Sequence, residues 1–79
     1  MNFMHKDKIK IIDIIQKILN RDDLEENAKQ EDYEEWDSMS YLSIVMEIEV
    51  EFGININEEN LNKFDSVDNI FNEIVDAKK

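Results

Sequence analysis

The stretch Glu34–Ile54, EEWDSMSYLSIVMEIEVEFGI, decides how the chain is read. It begins as a charge run, passes the only tryptophan, Trp36, and then takes on the period of a helix. Met39, Leu42, Val45, Met46 and Val50 share one side of that helix, and Ile44, Ile48 and Phe52 fill an adjoining stripe. The apolar arc is therefore wide, with Glu47, Glu49 and Glu51 toward its C-terminal half. Gly53 follows the last periodic residue, as a helix stop does. Ser38 stands at the turning point, between Asp37 and Met39. Serine and aspartate both favour helix N-caps, so Ser38 reads first as the residue that starts a helix running to about Phe52.

Working outward from that helix, a first element spans about Phe3–Asn20. Its Ile11, Ile14, Ile15, Ile18 and Leu19 recur at spacings of three and four, which makes one buried face. Isoleucine is not a strong helix former, but the period and the lack of alternation favour a helix. From Arg21 to Trp36 the period fails. Charges dominate, and Leu24, Ala28 and Tyr33 are isolated apolar residues. So long a connection needs anchoring, which predicts that Leu24, Tyr33 or Trp36 packs inward, with one short helical turn between them. After Gly53, Asn57 reads as the cap of a short helix to about Lys63, with Leu61 and Phe64 as inward anchors. Ser66 or Asp65 caps a last helix, on which Val67, Ile70, Phe71, Ile74 and Val75 form the buried stripe. The closing DAKK places lysines at the negative helix end. The expected architecture is all-α: a small four-helix bundle of three main helices and a short third one, over a single domain, residues 1–79.

Charge narrows the partners. The net charge is -11, and it is uneven. Up to Arg21 the chain carries five basic residues against Asp7 and Asp13; beyond it, eighteen acids face only Lys29 and Lys63 outside the terminal lysines. Phosphates repel such a surface, so nucleic acid and anionic membrane are disfavoured and basic protein surfaces are favoured. No apolar run approaches the ~18 residues of a membrane span, and nothing resembles a secretory leader, so a cytoplasmic location is expected. Like charge also favours a monomer.

Self-contained chemistry is hard to build from these residues. There is one histidine, His5, and no cysteine. A serine nucleophile needs a base within reach, and no local pattern brings His5, read as an ordinary exposed residue, to Ser38. No HxxxH, CxxC, calcium loop or Gly-rich phosphate loop occurs, so no catalytic and no metal-ligating residues are expected. Ser38 is another matter. At a helix N-terminus the backbone N–H groups and the dipole favour a phosphate ester, and a hydroxyl there is open to a partner enzyme. Met39 and Met46 can serve as docking knobs, since flexible thioethers suit surfaces that meet several partners.

With these residues in place, the chain resembles the acyl carrier proteins over nearly its whole length. That family's attachment motif, Asp-Ser-Leu or Asp-Ser-Met at the start of the second helix, is Asp37-Ser38-Met39 here. MEIEVEFGI (Met46–Ile54), NEENLNKF (Asn57–Phe64), DSVDNIFNEIV (Asp65–Val75) and IKIIDIIQKIL (Ile9–Leu19) match its other segments in order and spacing. The resemblance implies that Ser38 receives 4'-phosphopantetheine from coenzyme A, by a separate phosphopantetheinyl transferase that uses Mg2+ only for that transfer. The arm's thiol then holds acyl groups as thioesters, which accounts for the missing cysteine and the missing base. It also implies a bundle that shelters an acyl chain among the first, second and last helices. Acyl-loading and acyl-processing enzymes with basic docking patches would meet the second helix at Asp37, Met39, Met46, Glu47 and Glu49.

The departures from the commoner fatty-acid carriers are specific. Ser40, Ser43 and Val50 stand where acids are usual, Glu47 where a small apolar residue is usual, and Trp36 where a small residue or glycine is usual. They imply a specialised carrier, serving a polyketide, lipid-modification or surface-glycan pathway. An aminoacyl or peptidyl carrier shares the serine arm. An acidic helical protein-binding domain with no arm is the reading from outside the family.

Overall fold

The computed structural model describes residues 3–77, with side chains from residue 6 onward. The side chain of His5 and the terminal Lys78 and Lys79, on which expectations were placed, lie outside the described residues. The first helix, α1, runs Phe3–Leu19. Ile11, Ile15 and Leu19 are buried on it at four-residue intervals, while Ile12, Ile14 and Ile18 flank them half-buried. It stops at Asn20, which takes a left-handed φ of 59°. Asparagine tolerates that conformation better than most residues, and the Arg21 N–H then reaches back to the Gln16 carbonyl at 2.9 Å. That bond satisfies a carbonyl the helix end would leave open.

The connection that follows is irregular but well anchored. Leu24, Ala28 and Trp36 are buried in it and Tyr33 is half-buried, with one 3-10 turn at Gln30–Asp32. Ala28 joins the anchors expected from the sequence. Two further devices hold the backbone. Lys29 pairs with Ser66 in an isolated antiparallel bridge, in which Gln30 N donates to Asp65 O at 2.8 Å and Val67 N to Ala28 O at 3.1 Å. The second is Arg21. Its guanidinium donates to Asp23 at 2.9 and 3.0 Å and to Glu35 at 2.7 Å, and lies 4.8 Å from the centre of the Tyr33 ring. One cation thus ties the end of α1 to both arms of the loop.

The second helix, α2, runs Ser38–Phe52 and ends on Gly53, whose φ of 62° is costly for residues with a Cβ. Ile54 N bonds to Glu49 O at 3.1 Å, the same closure used at the end of α1. The short helix that follows, Glu58–Lys63, is 3-10 in geometry. Asn57 holds its cap position, but its side chain makes no cap bond there. The backbone instead closes the turn, with Asn60 N bonded to Asn57 O at 2.9 Å. The last helix, α3, runs Val67–Ala77. Of the two cap candidates Ser66 makes the bond, its Oγ accepting from Asn69 N at 3.0 Å; Asp65 accepts from the Asn69 side chain instead.

Both α2 and α3 pack on α1, and the 3-10 helix packs on α3. Ile11, Ile15, Ile44, Ile48, Phe64, Val67, Ile70 and Ile74 have no exposed surface and make the centre of the core. The fold is the expected small all-helical bundle.

Candidate functional site

The junction before α2 is rigid because each residue in it is held. Trp36 is 2% exposed. Its backbone N–H donates to Tyr33 O at 3.1 Å, and its backbone carbonyl accepts from Gln30 Nε2 at 2.9 Å. Trp36 therefore faces the core and not a partner. Asp37 follows in an extended conformation, and its Oδ1 accepts from Ser40 N at 2.9 Å. Its carbonyl takes the N–H of Tyr41 at 2.8 Å, the first bond of the helix. The N-cap is thus Asp37, not Ser38. The reason is geometric: a cap side chain must stand outside the helix to reach back to the N–H two or three residues on. Ser38 already has helical backbone.

That assignment frees the Ser38 hydroxyl. Ser38 is exposed at the first position of α2. The helix start also has an electrostatic consequence. The N–H of Ser40, foremost among several donors, holds the Asp37 carboxyl below its ordinary range. The helix terminus is already partly satisfied by that anion, so a phosphate ester on Ser38 has a carboxylate as neighbour.

Ser38 lies on the rim of a groove of about 560 Å3, which Gln30, Tyr41, Leu42, Leu61, Asn62 and Asp65 also line. Across it, the Tyr41 hydroxyl donates to Leu61 O and accepts from Phe64 N at 3.0 Å. Along α2 the wide apolar arc divides. Ile44, Val45 and Ile48 turn inward. Met39 (80% exposed), Leu42 (56%), Met46 (64%) and Val50 (78%) form an outward stripe that starts beside Ser38. The structure thus brings Asp37, Ser38, Met39 and Met46 to one side, with Glu47 exposed next to Met46. Glu49 is half-buried, and its Oε2 accepts from Ile56 N at 2.9 Å, so this carboxylate also braces the loop after α2. Tyr41 and the outward position of Leu42 and Val50 went unnoticed in the sequence. The signal was there in the spacing: Ser38, Tyr41 and Leu42 stand at i, i+3 and i+4, on one helix face.

This arrangement can offer a hydroxyl, fixed and solvent-facing, to an enzyme that docks on an apolar stripe. Among the described residues no group of three or more histidines, cysteines or acids is placed to hold a metal ion, and no helix is long and apolar enough to cross a membrane. A covalent group on Ser38 fits what is present: a rigid base, an open approach and an adjacent groove. A family model described as phosphopantetheine attachment site matches residues 10–74, from the middle of α1 into the last turns of α3.

Proposed function

The chain belongs to the family of phosphopantetheine-attachment domains, and from that premise we propose that it is an acyl carrier protein whose arm is borne on Ser38. Domains of this family carry 4'-phosphopantetheine covalently, are generally not catalysts themselves, and work with a phosphopantetheinyl transferase and with partner enzymes. When bound, the arm supplies a terminal thiol that holds cargo as a thioester. The chain has no cysteine to supply one.

The chain's own residues do the presenting. Trp36 and Asp37 fix the junction, and Ser38 accepts the ester. Met39, Leu42, Met46 and Val50 offer the apolar contact, and Glu47 with the surrounding acids attracts a basic docking patch. The single observation that carries the reading is the exposed Ser38 hydroxyl at the first position of α2, released from capping by Asp37. High acidity favours acyl over aminoacyl or peptidyl cargo. Ser40 and Ser43 thin the acidic face near the serine, which supports a specialised pathway over bulk fatty-acid synthesis. The cytoplasm is the proposed compartment, since a free thiol stays reduced there.

Intact mass tests the reading. Incubation with coenzyme A, Mg2+ and a broad-specificity phosphopantetheinyl transferase is expected to add one arm to the protein and none to Ser38→Ala. An unchanged wild-type mass overturns it. Loading by an adenylating enzyme with an amino acid, in place of acyl transfer, would move the assignment to an aminoacyl carrier. Equal loading by fatty-acid synthase enzymes of this protein and of a housekeeping carrier would remove the specialised pathway.

A further inference from the structure

The groove beside Ser38 has a floor that bears on the cargo. Tyr41 stands on the same helix face as Ser38, three residues on. It lines the groove and also packs against the core cluster, so it lies between the two. The core cluster it packs against includes Ile44, Ile48, Phe64, Ile70 and Ile74, which have no exposed surface. A cargo chain starting from Ser38 reaches that core by parting α2 from the 3-10 helix Glu58–Lys63 and from Phe64. Tyr41 ties those segments together: its hydroxyl donates to Leu61 O and accepts from Phe64 N. Burial favours the neutral phenol, so this hydroxyl remains a donor across the neutral range. The groove outside the tie is mixed in chemistry, with Gln30, Asn62 and Asp65 set among Leu42 and Leu61.

Building on the reading of Ser38 as the attachment point, we infer that Tyr41 bars the route from Ser38 to the core and is the specificity-determining residue of this carrier, restricting it to short acyl groups that ride in the surface groove. A long chain on this protein gains no shelter. Opening its path costs the two hydrogen bonds of Tyr41 and exposes the Leu61 carbonyl and the Phe64 N–H. A short acyl group needs no such opening. The ring itself also fills the passage, so Tyr41→Phe keeps the obstruction while cutting the tie, and Tyr41→Ala removes both.

The test uses the full chain loaded with acetyl- or dodecanoyl-phosphopantetheine from the corresponding coenzyme A thioesters. The lifetime of each thioester against hydroxylamine and the melting temperature of each loaded form are measured. Wild type is expected to give equal lifetimes for the two cargoes and no rise in melting temperature with dodecanoyl. Tyr41→Ala is expected to lengthen the dodecanoyl lifetime about tenfold over acetyl, equivalent to about 1.4 kcal/mol of sequestration. A wild-type dodecanoyl thioester that already outlives acetyl tenfold overturns the inference without any variant, and so does Tyr41→Ala with equal lifetimes. Should Tyr41→Ala fail to fold, Tyr41→Phe still decides: a dodecanoyl thioester that outlives acetyl where that of wild type does not supports the inference, and equal lifetimes overturn it. Failure to attach any arm is a different result: it removes Ser38 as the acceptor, and this inference with it.

Discussion

Replacing Ser38 by alanine should abolish the carrier while leaving the fold intact, and the magnitude can be worked from the junction. Loss of an N-cap side chain typically costs about 1 kcal/mol. Here that cost does not fall due, because the cap bond to Ser40 N comes from Asp37. What remains is intrinsic preference, and alanine in a helix is favoured over serine by up to roughly 0.5 kcal/mol. Since 1 kcal/mol moves the melting temperature of a small domain by about 4–8 °C, Ser38→Ala should melt within about 4 °C of wild type, on the higher side if it differs. Ile48→Ala is the contrasting case. Its side chain has no exposed surface, and such truncations cost about 2–5 kcal/mol. At ~0.05–0.15 kcal/mol per residue the whole chain has roughly 4–12 kcal/mol to lose, so Ile48→Ala removes a large share of it. Urea titration followed by the emission of the buried Trp36 gives the stabilities, and intact mass gives the arm. The reasoning is refuted if Ser38→Ala is the more destabilised of the two, or if it still gains the arm.

Acid should remove the small stabilising contributions of three carboxylates. Arg21 holds Asp23 below its ordinary value; for Glu35 its own backbone N–H acts first and Arg21 next; for Asp37 it is the Ser40 N–H. Each has a depressed pKa in the folded state, so its contribution is present above the unfolded value, 4.5 for Glu35 and 3.8 for the aspartates, and is lost as pH falls below it. Arg21→Met should flatten that acid limb, as read from urea midpoints at pH 7 and pH 3. The Tyr41 phenol is raised above 10.0, chiefly by burial, so its contribution is complete below that value and disappears as pH rises beyond it. The difference in stability between wild type and Tyr41→Phe should accordingly shrink above pH 10. Salt should raise the melting temperature, because twenty acids outnumber nine bases and screened self-repulsion outweighs a few surface ion pairs; a flat salt titration would count against this.

Much of the bundle was legible because it rests on rules that act within one or two helical turns. Period and stop signal gave α2 its limits at Ser38 and Phe52, and the spacing of Ile70, Phe71 and Ile74 gave the inner face of α3. The rest depends on what stands opposite. Val45 and Met46 are neighbours on α2 and both apolar, yet Val45 is buried and Met46 is not. That choice is made by what packs against α2, which the helix period does not state. Serine and aspartate are equally good caps in the abstract, and only the backbone of Asp37 separates its role from that of Ser38. The Arg21 contacts join residues fourteen apart along an irregular loop, where no period exists to announce them. Spacing places Tyr41 on the face of Ser38, but its hydrogen bonds could not be read there, since its partners Leu61 and Phe64 come from another segment.

The bridge between Lys29 and Ser66 ties the connection that leads to Ser38 to the start of α3. The Ala28 carbonyl and the Gln30 N–H are bonded to residues 67 and 65, a non-local contact that carries a loop-closure cost. Without α3 the connection before Trp36 lacks two of the backbone hydrogen bonds that hold it. The junction that presents Ser38 thus leans on a helix that comes after it in the chain.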